Sequence, residues 1–333
     1  MADRKFPIST APFLKGETTT PGIMLHVLLT LLPVVALAFY FFGLSALLLL
    51  MSTSLGCLLT EWFFNKNTTK KYSVWDGSAL LTGVLLALTL PPGFPLWMAF
   101  LGGVVAIGMG KLIWGGLGQN IFNPALLGRA FLQAAFPTAI TTWSEPNGRY
   151  LALRGTNLAP PLYGAENIEG ITSATPLSKM KFDQVPTALH DLLWGNTGGS
   201  LGETCGVILL VIGIYLVVRK VINWRIPASV LLTVVVLSGI IYLINPGQYP
   251  SPLFMVFSGG LLLGTVYMAT DPVTSPLSAK GLWVFGIGIG VLVVLIRIWG
   301  GLPEGVMYAI LLMNAFTPLI NRYIKIRTFG HKK

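Results

Sequence analysis

Long uncharged apolar runs dominate the chain. The runs Pro21–Gly43 and Ile226–Leu243 contain no Asp, Glu, Lys or Arg. A helix needs roughly 20 apolar residues to cross a hydrocarbon core about 30 Å thick, and both runs are near that length. Reading such runs between glycine, proline and charged breakers predicts ten membrane-spanning helices: 21–43, 44–64, 77–90, 96–114, 122–136, 202–218, 226–244, 252–269, 282–299 and 305–321.

Two of these predicted spans are short for a full crossing. The span 77–90 ends at Pro91 and Pro92, and the span 122–136 follows a glycine-rich break. Irregular backbone at membrane depth is tolerated where it lines a cavity, and interrupted helices often form the binding sites of transporters. We therefore expect both segments near a working site.

Basic residues mark one side of the predicted bundle. If the N-terminus is cytoplasmic, the short extracytoplasmic loops 91–95, 245–251 and 300–304 hold no Lys or Arg. This orientation follows the positive-inside rule. The C-terminus is then also cytoplasmic and the long loop 137–201 is extracytoplasmic. The residues assigned to the cytoplasmic side are Arg4, Lys5, Lys15, Lys66, Lys70, Lys71, Arg219, Lys220, Arg225, Lys280, Arg322, Lys325, Arg327, Lys332 and Lys333.

The two halves of the chain resemble each other. The sequence IWGGL at 113–117 recurs at 298–302, and the sequence GET occurs at 16–18 and again at 202–204. With five spans in each half, the second half enters the bilayer from the opposite face, as in the inverted repeats of transporters. The predicted fold is an all-α integral membrane protein with two inverted five-helix repeats. Its segments are a cytoplasmic N-terminal segment 1–20, a first repeat 21–136, an extracytoplasmic loop 137–201, a second repeat 202–321 and a basic cytoplasmic tail 322–333.

Composition supports a membrane protein and argues against a nucleic-acid binder. Charged residues make up 10% of the 333 residues and the mean hydropathy is +0.73, against roughly 25% charged residues in a soluble domain. The net charge of +10 lies mostly in loops on one side of the membrane, so no nucleic-acid partner is expected. No cleavable signal peptide is expected, because the first apolar run is too long. Cys57, Cys205 and three scattered His form no metal-ligand pattern.

The segment 115–124 (GGLGQNIFNP) is the most unusual stretch of the chain. Gly116 and Gly118 allow the backbone to turn and to approach a ligand closely. Asn120 and Asn123 offer amide donors and acceptors that suit a flavin ring or a quinone. The alternative is a helix break whose asparagines cap the helix that follows, and the spacing does not separate the two. It is not a phosphate loop, because the Gly-Lys-Ser/Thr ending is missing.

A second cluster, 171–177 (ITSATPL), lies in the predicted extracytoplasmic loop. Its residues favour a Ser/Thr/Pro turn. On residue types alone, a solvated loop is the simpler interpretation.

Several ionisable residues lie in or at the ends of the predicted spans, where charge is costly and often functional. Asp76 and Asp271 are candidates to guide Na⁺ or H⁺ from the cytoplasm, although helix capping explains each as well. Arg129 is placed to pair with a carboxylate or a flavin. We expect Lys111 and Arg297 to extend towards an interface. Glu61 is the remaining residue of this group and lies within the predicted span 44–64.

Four motifs resemble one family of membrane subunits. They are GGLGQNIFNPALLGRAF at 115–131, SATPL at 173–177, GNTGGSLGET at 195–204 and MATDP at 268–272. In order and over nearly the whole chain, they resemble the family of the Rnf complex D subunit and the B subunit of the sodium-pumping NADH:quinone reductase. The resemblance implies FMN attached to Thr175 as a phosphoester, with small Ser173 and Ala174 leaving the hydroxyl open to a flavin transferase. Many family members have Gly in place of Ser173.

The resemblance also implies a second, non-covalent flavin, riboflavin, at Asn120 and Asn123. The implied function is a subunit of a redox-driven Na⁺ or H⁺ pump that relays electrons between ferredoxin and NAD⁺. The chain has no dinucleotide fingerprint and no iron–sulfur cysteine pattern. We therefore expect it to be inactive alone and to need iron–sulfur subunits and a second covalent-flavin subunit. The alternatives are a solute channel or secondary transporter, which the inverted repeat favours, and a passive membrane scaffold.

Overall fold

The computed structural model describes residues 19–66, 71–144, 146, 150–151, 153–161, 174–195, 197–203 and 205–325. Within these ranges every regular element is helical. The structure therefore agrees with the predicted all-α class. Four helices are long and apolar enough to cross a membrane, and three shorter apolar helices accompany them. The count of ten crossings stays a prediction.

Helices lie in all ten predicted intervals. The first half contains α1 (Thr20–Phe42), α2 (Leu44–Asn65), α3 (Ser78–Leu88), α4 (Leu96–Ile107, extended by a π-helical turn Gly108–Leu112) and α5 (Pro124–Ala135). The second half contains α6 (Gly206–Val218), α7 (Arg225–Ile244), a broken α8 (Pro252–Phe257, Leu261–Leu263 and the π-helical turn Gly264–Met268), α9 (Ala279–Trp299) and α10 (Val306–Tyr323). Shorter helical segments are Lys71–Asp76, Pro137–Ile140, Pro176–Ser178, Lys179–Asp183 and Leu189–Trp194.

Two predicted boundaries differ from the structure. The predicted span 252–269 is not continuous, because Gly259 has φ 65°, a left-handed conformation that interrupts α8. The predicted start of the sixth span at residue 202 is also wrong. Cys205 has φ 75°, so α6 begins only at Gly206. Residues 197–203 thereby lie outside the helix, where their polar groups are available to a site.

The second and fourth helices of each half pack together through glycines. A Cβ atom on Gly103 of α4 would lie 2.5 Å from the Thr53 carbonyl oxygen of α2. In the second half, a Cβ atom on Gly290 of α9 would lie 2.7 Å from Thr233 Cβ of α7. Small residues let membrane helices approach closely and gain van der Waals contact. The same helix pair packs by the same means in both halves, as a repeat predicts.

Polar contacts join distant parts of the chain. The amide of Gly202 donates to the Leu88 carbonyl at 2.7 Å, so the segment before α6 is bonded to the end of α3. At the α1–α2 turn, the Leu44 amide donates to the Tyr150 carbonyl at 2.7 Å. The side-chain amide of Asn157 donates to the carbonyls of Pro92 and Phe94. The long loop therefore lies at the same end of the bundle as the first two turns assigned to the extracytoplasmic side.

Candidate functional site

Thr175 begins the short helical segment that follows it. Its hydroxyl oxygen accepts from the Ser178 amide at 3.2 Å and donates to the Ser178 hydroxyl at 3.0 Å. Thr175 is only 8% exposed, and Leu177 packs in a cluster with Leu192 and Phe254. Residues 175–177 are therefore packed against the protein and are not a solvated loop. In this structure the Thr175 hydroxyl is bonded to Ser178, and its accessibility to a flavin transferase stays a prediction. Ser173 lies outside the described residues.

A cavity of about 380 Å³ lies beside Thr175. Ala174 and Ser178, on either side of Thr175 in the sequence, line it together with Arg129, Glu304 and other residues: Gln133, Ile140, Thr141, Trp143, Phe182, Leu302, Pro303, Met307 and Tyr308. Small-molecule sites are typically concave, roughly 300–1,000 Å³ in volume and mostly apolar with a few polar groups. This cavity meets that description.

A buried ion pair forms one wall of the cavity. Arg129 Nη2 of α5 lies 2.6 Å from Glu304 Oε2 in the loop between α9 and α10. Arg129 Nε is buried and has no hydrogen-bond partner. The second carboxylate oxygen of Glu304 accepts from the Gly260 amide at 3.0 Å. The wall therefore holds a fixed cation, whose positive charge suits the oxygen and nitrogen acceptors of a flavin.

Two more charged residues stand behind this wall. Arg297 donates to the Met255 and Ser258 carbonyls, which lie at the break in α8 where the helix provides no amide donor for them. Arg297 is 4% exposed, so the expectation that it extends to an interface is wrong. Glu203, in the loop before α6, directs Oε1 towards Gly260, as Glu304 does. Burial, reinforced by the Glu304 charge, raises the pKa of Glu203 above its ordinary value.

Lys181 ties the Thr175 segment to the second half of the chain. Its ammonium donates to the carbonyls of Ile296, Gly300 and Leu302 at and beyond the C-terminal end of α9. A cation at this end of a helix satisfies free carbonyls and interacts favourably with the helix dipole. Burial lowers the pKa of Lys181 from its ordinary value. The contact fixes the segment 175–183 against α9.

The glycine-rich turn forms a second, smaller cavity of about 90 Å³. Gly116 and Gly118 have φ 108° and 94°, so the turn needs the conformations that glycine allows, as predicted. Asn123 caps α5 by accepting from the Ala125 amide at 3.0 Å, and its Nδ2 donates to the Met268 carbonyl. The capping interpretation therefore applies to Asn123.

Asn120 differs from Asn123. Its Nδ2 donates to the Phe122 carbonyl, but its Oδ1 is buried without a hydrogen-bond partner. Both asparagines line the smaller cavity, together with Asp271 and Tyr267. An orphaned acceptor in a cavity fits a ligand that brings a donor, as the ring edge of a flavin does.

The two candidate ion-pathway residues lie close to this cavity. Asp271, which lines it, accepts from the Val273 amide and the Thr274 hydroxyl, each at 3.2 Å. Asp76 accepts from the Ser78 amide at 2.8 Å. Asp76 therefore binds the first amide of α3 from just before the Gly77 N-cap, whereas Asp271 stabilises a turn and caps no helix, since the next helix begins at Ala279.

A buried Glu61–Lys111 pair was missed by sequence reasoning. Lys111 Nζ lies 2.6 Å from Glu61 Oε1 and 3.8 Å from Asp76 Oδ2, and it also donates to Ser78 Oγ. Lys111 is 2% exposed, so the expectation that it extends to an interface is wrong. The available signal was that each cation lies near an IWGGL sequence, Lys111 two residues before one and Arg297 directly before the other.

Helix α5 runs between the two cavities. Asn123 at its start lines the smaller cavity, while Gln133 near its end and Ile140 just beyond it line the larger one. The 12 residues of α5 cover about 18 Å at 1.5 Å per residue. The two cavities therefore lie towards opposite ends of one short helix, with Arg129 in its middle also lining the larger cavity.

Sequence comparison agrees with these motifs. The profile of the NQR2, RnfD, RnfE family matches residues 7–330. The chain belongs to this family. One relative, from Stutzerimonas stutzeri, is named as the D subunit of an ion-translocating oxidoreductase complex. It is 42% identical over 94% of this chain and 93% of its own length.

Two further family members are named for the ion that they move. The relative from Acetobacterium woodii is named as the D subunit of a Na(+)-translocating ferredoxin:NAD(+) oxidoreductase complex, and it is 39% identical over 100% of this chain and 98% of its own length. The relative from Clostridium ljungdahlii is named as the D subunit of a proton-translocating ferredoxin:NAD(+) oxidoreductase complex, and it is 37% identical over 98% of this chain and 97% of its own length. Relatives of similar identity are thus named for different ions.

Proposed function

We propose that this chain is the flavin-carrying membrane subunit of a redox-driven Na⁺ or H⁺ pump. Within a multi-subunit complex it relays electrons between ferredoxin and NAD⁺, the reactants named for two of its relatives. The observation that carries the proposal is the position of Thr175, at the start of a helical segment and beside a cavity whose wall holds the Arg129 cation.

FMN attached to Thr175 as a phosphoester would supply the electron-accepting ring in this proposal. The hydrogen bond that the Thr175 hydroxyl donates to the Ser178 hydroxyl is lost on attachment, because the hydroxyl proton leaves when the ester forms. The Ser178 amide can continue to donate to the ester oxygen, since that interaction needs only an acceptor. Ala174 and Ser178 line the cavity next to the attachment point, and Arg129 places a positive charge in the cavity wall.

A second, non-covalent flavin, riboflavin, is proposed at the smaller cavity. Its volume of about 90 Å³ is below the roughly 300–1,000 Å³ typical of ligand sites, so the walls must open to admit the ring. Asn120 Oδ1 supplies an acceptor without a partner, and Tyr267 and other apolar side chains supply the walls. A flavin in each cavity would place two electron carriers towards opposite ends of α5.

Ion entry is proposed at Asp76 and Asp271. Both carboxylates lie near the smaller cavity and already accept hydrogen bonds from their own turns. Neutralising Asp271 in Asp271→Asn is expected to lower the number of cations moved per electron in proteoliposomes that contain the whole complex. Unchanged coupling would remove Asp271 from the pathway.

Orientation and partners complete the proposal. Both termini are cytoplasmic and the Thr175 loop is extracytoplasmic, as the basic residues predict. The partners are the other membrane and peripheral subunits, including a second covalent-flavin subunit and iron–sulfur subunits, with a flavin transferase required for maturation.

Flavin fluorescence on a denaturing gel tests the proposal. Protein co-expressed with a flavin transferase is expected to give a fluorescent band, Thr175→Ala to give none, and the matched control Thr187→Ala to keep it. A transporter or a scaffold needs no covalent flavin. A wild-type band without fluorescence would favour those alternatives.

A further inference from the structure

Four charged side chains from different parts of the chain meet at and behind one wall of the larger cavity. Arg129 comes from α5, Glu203 from the loop before α6, Arg297 from α9 and Glu304 from the loop after α9. The cluster holds two cations and two carboxylates, so its net charge is zero when both carboxylates are ionised. Such a neutral cluster responds strongly to one additional charge, because charges interact strongly where water is excluded.

The two carboxylates have unequal partners. Glu304 holds Arg129 Nη2 at 2.6 Å and the Gly260 amide at 3.0 Å. Arg297 directs both terminal nitrogens at backbone carbonyls. Among the described residues, no Lys or Arg nitrogen lies within 4 Å of the Glu203 carboxylate. Glu203 therefore has less cationic support than Glu304.

Gly260 brings the two carboxylates together. A Cβ atom at this glycine would lie 2.7 Å from Glu304 Oε1 and 3.6 Å from Glu203 Oε1. The two oxygens thus converge on one backbone position that has no side chain. Two carboxylates at such close range disfavour simultaneous ionisation, and one of them binds a proton more readily.

We propose that Glu203 and Glu304 form a proton-binding site linked to the redox state of the flavin on Thr175. This inference rests on the proposed function. When a one-electron carrier such as an iron–sulfur cluster of a partner subunit passes an electron to the flavin, a proton from extracytoplasmic water forms an O–H bond with the pair. When the electron leaves, that bond breaks and the proton returns to water.

Arg129 couples the two events. It lines the cavity and also holds Glu304. A negative charge in the cavity competes with Glu304 for the guanidinium, so each carboxylate becomes a better base. Glu203 and Glu304 are both partly exposed, the Glu304 side chain by 18%, so water reaches the pair. Glu203 is the final proton holder because it has less cationic support than Glu304. The charged groups facing the pair are Arg129 and Arg297.

Redox titration of the flavin at a series of pH values tests the inference. The sample is the complete complex, checked first for a fluorescent Thr175 band. In wild type the midpoint potential is expected to fall more steeply with pH than in Glu203→Gln, which keeps the side-chain shape but cannot bind the proton. The control Asp191→Asn, on an exposed helix, is expected to match wild type. Equal slopes in Glu203→Gln and wild type would overturn the inference.

A second measurement needs no variant to fold. The reduced-minus-oxidised infrared spectrum of the wild-type complex is expected to contain a protonated-carboxyl band that shifts in heavy water. Absence of that band would also overturn the inference. Because the gel reports the flavin itself, a sample that lacks fluorescence contradicts the proposed function, whereas a fluorescent sample with unlinked protonation contradicts only the proton site.

Discussion

Lys111 and Arg297 are both buried cations at the end of the fourth helix of their half of the chain. Lys111 lies two residues before one IWGGL sequence and Arg297 lies directly before the other. Each is bonded to a serine, Ser78 at the start of α3 and Ser258 at the break in α8. Lys111 Nζ donates to Ser78 Oγ, and Arg297 Nη2 donates to the Ser258 carbonyl. A buried cation needs a nearby acceptor. The two contacts use different serine atoms and the two cations differ by one residue in register, so the inverted repeat stays a prediction.

Breaking the Glu61–Lys111 pair is expected to destabilise the protein. Glu61 is 0% exposed and the pair distance is 2.6 Å. Removing one partner of a buried pair leaves an uncompensated charge and costs about 3–5 kcal/mol. Lys111→Met should therefore lower the melting temperature markedly, and adding Glu61→Gln should restore part of the loss. The measurement is thermal unfolding in detergent, followed by labelling of the buried Cys57 and Cys205 with a thiol-reactive dye. If the double variant melts below both single variants, the pairing account is wrong.

Lys181→Ala should loosen the Thr175 segment. The variant removes an ammonium that donates to three carbonyls at the end of α9. Hydrogen bonds from charged groups contribute about 1.5–3 kcal/mol each when buried, and less for a half-exposed lysine. We expect faster proteolysis within 174–195 and less covalent flavin. Lys179→Ala serves as the control on the same segment, and equal proteolysis rates in the two variants would contradict the tether.

Gly259→Ala is expected to disturb flavin attachment from a distance in sequence. Gly259 has φ 65°, and a Cβ atom there would lie 2.6 Å from Leu177 Cδ1. An alanine would be strained and would push on the segment that carries Thr175. Band fluorescence per protein should fall, whereas Gly301→Ala, where a Cβ atom meets open space, should leave it unchanged. Full fluorescence in Gly259→Ala would show that this contact does not position Thr175.

Asn120→Ala is expected to affect the non-covalent flavin but not the covalent one. Loss of the orphaned Oδ1 acceptor should reduce the non-covalent flavin released by denaturation, while the fluorescent gel band at Thr175 remains. Asn245→Ala, at an exposed position, is the control. The measurement is flavin in the supernatant after acid precipitation. Release equal to wild type would place the second flavin elsewhere.

Glu203 gives the stability a defined pH dependence. Its pKa is raised in the folded state, so the folded protein binds more protons than the unfolded protein above a pH of about 4.3, the ordinary Glu value. The contribution of Glu203 to the free energy of unfolding therefore decreases as the pH rises above about 4.3. Melting temperatures measured across pH should fall less steeply in Glu203→Gln than in wild type. Parallel curves for the two proteins would contradict the raised pKa.

The sequence predicts the helices better than the charged contacts. Uncharged apolar runs locate every long helix, and the glycines at 116 and 118 predict a turn that needs positive φ. The break in α8 was missed although Ser258, Gly259 and Gly260 stand together there, because small residues within an apolar run also occur in continuous membrane helices. The Lys111–Glu61 and Arg129–Glu304 pairs join residues 50 and 175 positions apart. Such pairings depend on how helices pack, which local pattern does not determine.

The central claim is that Thr175 carries a flavin nucleotide. Mass spectrometry of the proteolytic peptide that contains Thr175, prepared from the native complex, tests this most directly. The account predicts a peptide heavier than its sequence mass by an FMN phosphoester, with fragments that place the addition on Thr175. A peptide found only at its unmodified mass would contradict the account.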